Sequence, residues 1–318
     1  MLAVFLDRDT LHPNDIDFLP LEAAIHPWVY YGNSSSDSEI LDRIQNATVV
    51  VTNKAILTGS VIQQASQLQL ICIAATGTNN VDLETAHRLG IAVCNVRGYC
   101  TASVVEHVFA LILSLTRNLT ATTQAITTGI WQRSPYFTVP DFPCRELSGK
   151  TIGIIGYGDL GRAVARIATA FGMTILVSQR ANTPSRPGRI PLKDLLSLVD
   201  VLSVHCPLTQ ETTGLIGREE LALMRPNALL INTARGGIVD EQALADALCA
   251  GQLGGAGIDV LSQEPPHQGN PLFAPNIPNL ILTPHVAWSS HEARQYLVLQ
   301  VAKNIHSFLA SKPCNLVI

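Results

Sequence analysis

Paired cysteine motifs are missing from this sequence. Its seven cysteines, Cys72, Cys94, Cys100, Cys144, Cys206, Cys249 and Cys314, are scattered, odd in number and without a CxxC pair. Several sit inside apolar runs such as "LICIAA" and "IAVCNV". That reads as buried, reduced thiols in the cytoplasm, not as a disulfide framework or a metal site. The nine histidines show neither HExxH nor another ligand spacing, so no structural or catalytic metal is expected. No apolar run reaches the length of a membrane span. The start, "MLAVFLDRDT", turns acidic after six residues, as a first strand does and a signal peptide does not. Charge is scarce too: charged residues make up 14% of the chain and the formal net charge is −4. That leaves no electrostatic footprint for nucleic acid or an anionic membrane.

What the sequence does have is apolar residues, 47% of a 318-residue chain, enough for two compact α/β domains. Short apolar runs alternate with helix-length segments. "LAVFLD", "WVYYG", "ATVVVTN", "LQLICIAA" and "IAVCNV" read as strands of a first sheet, with "SDSEILDRIQNA" and "VDLETAHRLG" as helices between them. Strands this apolar are buried on both faces, which implies parallel pairing with helical crossovers. "TASVVEHVFALILSLTRN" (101–118) is too densely apolar for an exposed helix and is expected to be buried between domains or at a subunit interface. The Pro-bearing stretch 131–149 is long for a connection and is expected to pack on something; packing is also the expected role of Trp131 and Trp288. A second alternating series follows. Its strands are "TIGIIG", "TILVSQ", "VDVLSVHC", "ALLINTA", "GAGIDV" and "NLILTPH". Its helices are "GRAVARIATAFG", "LKDLLSLV", "REELALM" and "DEQALADALCAG", and the tail "SHEARQYLVLQVAKNIHSFLAS" is an amphipathic helix.

The first strand of that series runs into "GYGDLG", Gly156 to Gly161 with Tyr157, Asp159 and Leu160 in between. Gly156 permits a tight turn, Gly158 lets backbone approach a pyrophosphate, and Gly161 lets helix and strand pack closely. The N–H groups that open the helix then face phosphates, helped by the helix dipole. Strand, turn, helix and second strand stand in the order that a dinucleotide site requires.

Three stretches at later strand ends carry ionisable groups: Arg235 in "INTARGG", Asp259 with Glu264 in the loop after it in "GIDVLSQEPP", and His285 in "LTPHVAWSS". Ligands of open α/β sheets bind outside the carboxyl ends of strands, so these groups are expected beside the dinucleotide. Their chemistry suits hydride transfer with proton transfer. Reduction of a 2-oxo acid needs a proton for the forming alkoxide, which His285 can supply. Glu264 would orient and stabilise the imidazole, and Arg235 would bind carboxylate and carbonyl oxygens through its planar fork.

Together "GYGDLG", "HCPLTQETTGLIG", "LMRPNALLINTARGGIVDEQAL", "GIDVLSQEPP" and "LTPHVAWSS" resemble the D-isomer-specific 2-hydroxyacid dehydrogenases, in order and in spacing, over almost the whole chain. The pattern is most similar to members described as glycerate dehydrogenases or hydroxypyruvate reductases. The resemblance implies two parallel-sheet domains with flanking helices and a cleft between them. A flavodoxin-like substrate domain would take residues 1–99 and 287–318, and a Rossmann dinucleotide-binding domain residues 100–286. It implies Arg235 as substrate binder, His285 as acid/base and Glu264 as its partner. Backbone groups of Thr76 and Gly77 would hold the substrate carboxylate. Asp259 would bond the nicotinamide amide, with Thr233 and Ala234 lining that pocket and Thr101 and Val104 near the ring. Cys206 and Pro207 would border the adenosine, with packing alone an equal alternative for Cys206. The resemblance also implies a homodimer.

Related activities stay open at this point. Formate dehydrogenases of this scaffold carry Gln in place of Glu264 and Asn in place of Cys100, and their reaction needs no proton relay. Phosphite dehydrogenases keep an Arg/Glu/His set. Corepressor-like dinucleotide sensors add partner-binding segments, and no terminal extension is evident here.

The cofactor's identity turns on "TILVSQRA" (174–181). The turn predicts a carboxylate for the ribose about twenty residues on, and Gln179 stands there. A carboxylate would repel the 2′-phosphate of NADP; an amide does not. Arg180 can bond that phosphate, Ser178 can add a hydroxyl, and Arg186 and Arg189 follow in the same loop. NADP is therefore expected in preference to NAD. The alternative is a solvated Arg180 with Gln179 bonding the ribose of NAD.

Overall fold

The computed structural model describes the chain apart from Ala181, Asn182 and Ser185. It divides into two compact units, Met1–Cys100 with Ser289–Ile318, and Thr101–Trp288. These boundaries lie one and two residues from the expected ones. Among the described residues no single helix is long and apolar enough to cross a membrane.

The first unit is built on five strands: β1 Ala3–Phe5, β2 Trp28–Tyr30, β3 Val49–Thr52, β4 Leu70–Ile73 and β5 Ala92–Cys94. All neighbours pair in parallel, in the order β2-β1-β3-β4-β5. This is the doubly wound order of flavodoxin-like sheets. Strands β1, β3 and β4 are buried along their whole length, as their unbroken apolar runs predict. Asp7 follows β1 and is fully buried. Its carboxylate accepts N–H bonds from Asn53, Lys54 and Ala55 and so closes the loop after β3. An isolated antiparallel bridge brings Leu316 of the tail against Cys94.

The second unit holds six strands: β6 Thr151–Ile155, β7 Thr174–Val177, β8 Val201–Val204, β9 Leu229–Asn232, β10 Gly255–Ile258 and β11 Leu280–Leu282. The order is β11-β10-β9-β8-β6-β7, again all parallel. A single parallel bridge, Ser178 to Ile190, extends this sheet beyond β7. The order in which strands are added reverses around β6, which makes its carboxyl end a topological switch point, where such sheets bind ligands.

Two expectations gain detail. The apolar stretch 101–118 holds one helix, Thr101–Thr116, as expected, and a second helix, Leu119–Thr127, follows it at an angle of 58°. Asn118 makes the break: it adopts a left-handed conformation, φ 52°, and its amide bonds Pro143 O. The stretch 131–149 packs at its end, where Arg145 bonds Thr116 O through its N–H and Asn227 O through its guanidinium (both 2.8 Å). Phe137 is 94% exposed, Tyr136 and Trp131 are exposed as well, and among these residues only Leu147 is buried.

Candidate active site

The Gly-rich turn follows β6 directly. Gly156 has φ 88°, a conformation that disfavours side chains. A Cβ there would also meet the backbone of His205 and Cys206 at 2.6 Å. At Gly161 a Cβ would lie 2.1 Å from Gly156 O. The turn can close onto its helix only without these side chains. Gly158 differs: nothing lies within 4 Å of its virtual Cβ. Its space is open on the side where helix Asp159–Ala170 starts, and a phosphate group would fill it. Asp159 is exposed and paired with Arg162 at 2.6 Å, and Leu160 is half-buried. Arg189 lies over the Tyr157 ring, 4.7 Å from its centroid.

Gln179 does not point away from its own loop. Its amide donates to Thr183 Oγ1 (2.7 Å) and Pro184 O (2.9 Å), and accepts from Arg186 N (3.3 Å). It folds the loop that carries the arginines. Ser178 continues β7 through its bond to Ile154 O, and Arg180 is exposed. Glu211 is held below the ordinary carboxyl range by the Thr209 hydroxyl, with a smaller contribution from the charge of Arg180. His205 is half-buried next to the turn; its desolvation lowers its pKa to about 4 and keeps it neutral. Burial also pushes the Cys206 thiol up to about 11. Pro207 O accepts from Thr212 Oγ1 at 2.7 Å.

The ends of β9, β10 and β11 carry the acid–base groups. Asn232 shapes the turn after β9: it accepts from Ala234 N (3.0 Å) and donates to Arg235 O (2.9 Å). The Arg235 guanidinium bonds Ala234 O at 2.7 Å and stays half-exposed. Gly236 lets this turn touch the loop after β10, since a Cβ would sit 1.9 Å from Leu261 O. That loop carries Glu264. One carboxylate oxygen of Glu264 accepts from Leu261 N (2.9 Å), and the other lies 2.6 Å from His285 Nδ1. A carboxylate only accepts, so Nδ1 carries the proton and Nε2 is left to exchange one. His285 adopts φ 55°, a left-handed conformation with a cost on the order of 1 kcal/mol for such a residue.

Asp259 holds that turn in place. It is 1% exposed; Oδ1 accepts from Thr283 Oγ1 (2.6 Å) and Val286 N (2.9 Å), and Oδ2 from Ala287 N (3.0 Å). Any bond from a nicotinamide amide would be shared with these donors. Thr233 Oγ1 is buried without a hydrogen-bond partner among the described residues, and Ala234 is buried beside it. An orphaned hydroxyl and an open glycine cradle fit a dinucleotide. In the first turns of helix Thr101–Thr116, Val104 is buried and Thr101 half-buried. Ser103 Oγ bonds Ala287 O at 2.6 Å, and His107 Nε2 lies 3.0 Å from Thr283 Oγ1. Thr76 and Gly77 belong to the other unit, where Thr76 Oγ1 bonds Val96 O (2.8 Å).

His107, Ser103, Thr283 and Glu241 were not anticipated. Glu241 accepts from Ser262 N (2.6 Å), Ser262 Oγ (2.8 Å) and Asn270 Nδ2 (2.6 Å), which fixes the loop of Glu264. The only sequence signal for His107 is a polar pair, Glu106-His107, inside an apolar helix.

Residues 109–287 match the family model described as D-isomer specific 2-hydroxyacid dehydrogenase, NAD binding domain. The chain belongs to the D-isomer-specific 2-hydroxyacid dehydrogenase family. It is a dehydrogenase of that kind by its relatives as well. It is 42% identical over 316 residues to the glycerate dehydrogenase of Methylorubrum extorquens, covering 99% of this chain and 98% of that one. It is 37% identical to the hydroxypyruvate reductase of Blautia hydrogenotrophica, covering 100% and 99%. Among solved structures, an acyclic imino acid reductase (Bsp5) in complex with NADPH and D-Arg superimposes with a TM-score of 0.87 at 28% identity over the whole of both chains. As a member of this dehydrogenase family the protein has an NAD(P)-binding domain, and the Gly156–Gly161 turn lies inside the matched span.

Proposed function

We propose that this dehydrogenase reduces hydroxypyruvate, and glyoxylate as a second substrate, to the D-2-hydroxy acid, with NADPH preferred over NADH. The observation that carries the reading is the 2.6 Å contact of His285 with Glu264, on a loop held against the Arg235 turn. The nicotinamide, when bound, supplies the hydride. His285 Nε2 gives its proton to the forming alkoxide, and Glu264 stabilises the neutral, correctly oriented imidazole that remains as well as the charged form before it. Arg235 binds and polarises the 2-oxo acid, and backbone N–H groups at Thr76 and Gly77 take its carboxylate. Relatives named glycerate dehydrogenase and hydroxypyruvate reductase support the substrate class.

The NADPH preference rests on a neutral Gln179 that folds its own loop, an exposed Arg180 and the Arg189–Tyr157 stack. A 2′-phosphate there meets cations and no carboxylate from the β7 end. The scattered cysteines, without a CxxC pair, suit the cytoplasm. The test is kcat/KM for NADPH and for NADH with hydroxypyruvate. NADPH is expected to win, and Arg180→Ala to cost NADPH use more than NADH use. An NADH preference refutes the phosphate reading, and a protein that turns over neither cofactor with any small 2-oxo acid refutes the whole.

A further inference from the structure

We propose that two buried asparagines, Asn95 and Asn304, with Asn315 behind them, are positioning residues that aim the Thr76–Gly77 loop at the substrate. The inference rests on the reading above, in which that loop takes the substrate carboxylate.

Asn95 directly follows β5 and is 3% exposed. Its Nδ2 donates to Thr76 O at 2.8 Å. That carbonyl belongs to the same planar unit as the Gly77 N–H. In a trans peptide the two point in opposite directions. Fixing Thr76 O therefore fixes where Gly77 N–H points. A hydrogen bond on the carbonyl also polarises the peptide and makes its N–H a better donor. The neighbouring bonds, Val96 N to Ala75 O (3.0 Å) and Thr76 Oγ1 to Val96 O (2.8 Å), tie the loop to the same segment.

Asn95 is itself held from behind. Asn304, on helix His291–Leu309, is 0% exposed and donates from Nδ2 to Asn95 O at 3.0 Å. Asn304 Oδ1 accepts from Asn315 Nδ2 at 2.8 Å, and Asn95 N donates to Asn315 O at 3.2 Å. Asn315 adopts φ 54°, a left-handed conformation that asparagine tolerates. The tail, the long helix and the substrate loop thus form one hydrogen-bonded chain.

One atom in it is left over. Asn95 Oδ1 is buried and has no partner among the described residues. Flipping the amide would set two acceptors, Oδ1 and Thr76 O, against each other at the 2.8 Å now spanned by the hydrogen bond, so the orientation stands. A buried unpaired acceptor is costly, and an apolar side chain would remove the cost. Stability alone does not account for an amide here; its N–H toward Thr76 O does.

The test is steady-state kinetics of the full chain carrying Asn95→Ala, Asn304→Ala, both together, or Asn315→Ala. Each buried single substitution is expected to raise KM for hydroxypyruvate about tenfold, the effect of one lost hydrogen bond. KM for NADPH stays at the wild-type value. Both substitutions together raise KM for hydroxypyruvate no further than Asn95→Ala alone, because they act through one chain. Should the buried variants not fold, Asn315→Ala, on an exposed side chain, decides alone, with an expected rise of roughly threefold. An unchanged KM for hydroxypyruvate, an equal rise for NADPH, or additive effects in the double variant each overturn the proposal. A wild-type protein without 2-oxo acid reductase activity defeats the functional reading instead.

Discussion

The 2.6 Å contact between His285 and Glu264 makes the two side chains one unit, since the carboxylate sets which imidazole nitrogen is free. His285→Ala is expected to lower kcat with hydroxypyruvate by roughly 10²–10⁴, the usual worth of a general acid. Glu264→Gln falls between that variant and wild type, because the ring keeps its place but loses the charge that stabilises imidazolium. A His285→Ala protein with wild-type kcat would remove His285 from the chemistry. A second histidine makes a prediction about stability. His205 is half-buried beside the Gly-rich turn, and its pKa falls from 6.5 to about 4 through desolvation. Above pH 6.5 it is neutral in both folded and unfolded chains. Between 6.5 and about 4 the unfolded chain takes up a proton that the folded one refuses. Stability therefore drops as pH falls through this window, by at most about 1.4 kcal/mol per pH unit. Thermal unfolding of wild type and His205→Gln between pH 7 and pH 4 tests it: the variant's Tm should fall less steeply, and parallel curves would rule the linkage out.

The Gly156–Gly161 turn shows at the level of one element how a motif separates fold from binding. Gly161→Ala puts a methyl group 2.1 Å from Gly156 O, so the turn must shift or the helix detach. Gly158→Ala meets nothing within 4 Å. It is expected to keep the wild-type Tm and to bind NADPH at least about tenfold more weakly, because the methyl group takes the space of a phosphate. Gly161→Ala is expected to lower Tm markedly. NADPH fluorescence titration and calorimetry distinguish the two, and unchanged NADPH affinity in Gly158→Ala would move the phosphates elsewhere. The motif was legible because its demands are local. So were the strands: each is a short apolar run bounded by polar or Gly residues, and β1 to β11 fall inside the stretches the pattern marks. Three short helices were not legible. Leu19–Ala24 opens on Leu-Pro, Gly59–Gln64 on Gly-Ser, and Leu119–Thr127 is rich in threonine. Such residues are weak helix formers, and packing overrides their preference. Arg235, Glu264 and His285 were readable as charged or titratable groups at strand ends. Their supports were not, because the partners are remote in sequence: His107 and Thr283 are 176 residues apart, Asn304 and Asn95 209.

Exposed apolar surface concentrates in one part of the chain. Leu119, Ile126, Ile130, Trp131, Tyr136 and Phe137 are all exposed, and Phe137 keeps 94% of its surface. Trp131 Nε1 bonds Phe137 O at 3.0 Å, so the segment is folded on itself while its rings face outward. Exposed apolar side chains gathered in one segment are the kind of surface through which proteins associate. A second copy of the chain is the partner expected from the sequence, and a two-fold axis would let the same segment serve both subunits. Light scattering on the purified protein is expected to give about twice the mass of one chain. Phe137→Asp should shift it toward the monomer, because a charge placed at the centre of an apolar contact loses its hydration without gaining a partner. The substitution is far from any core, so the monomer should keep its fold by circular dichroism. A wild-type monomer, or a Phe137→Asp dimer of undiminished stability on dilution, would mean that this surface is not where the subunits meet.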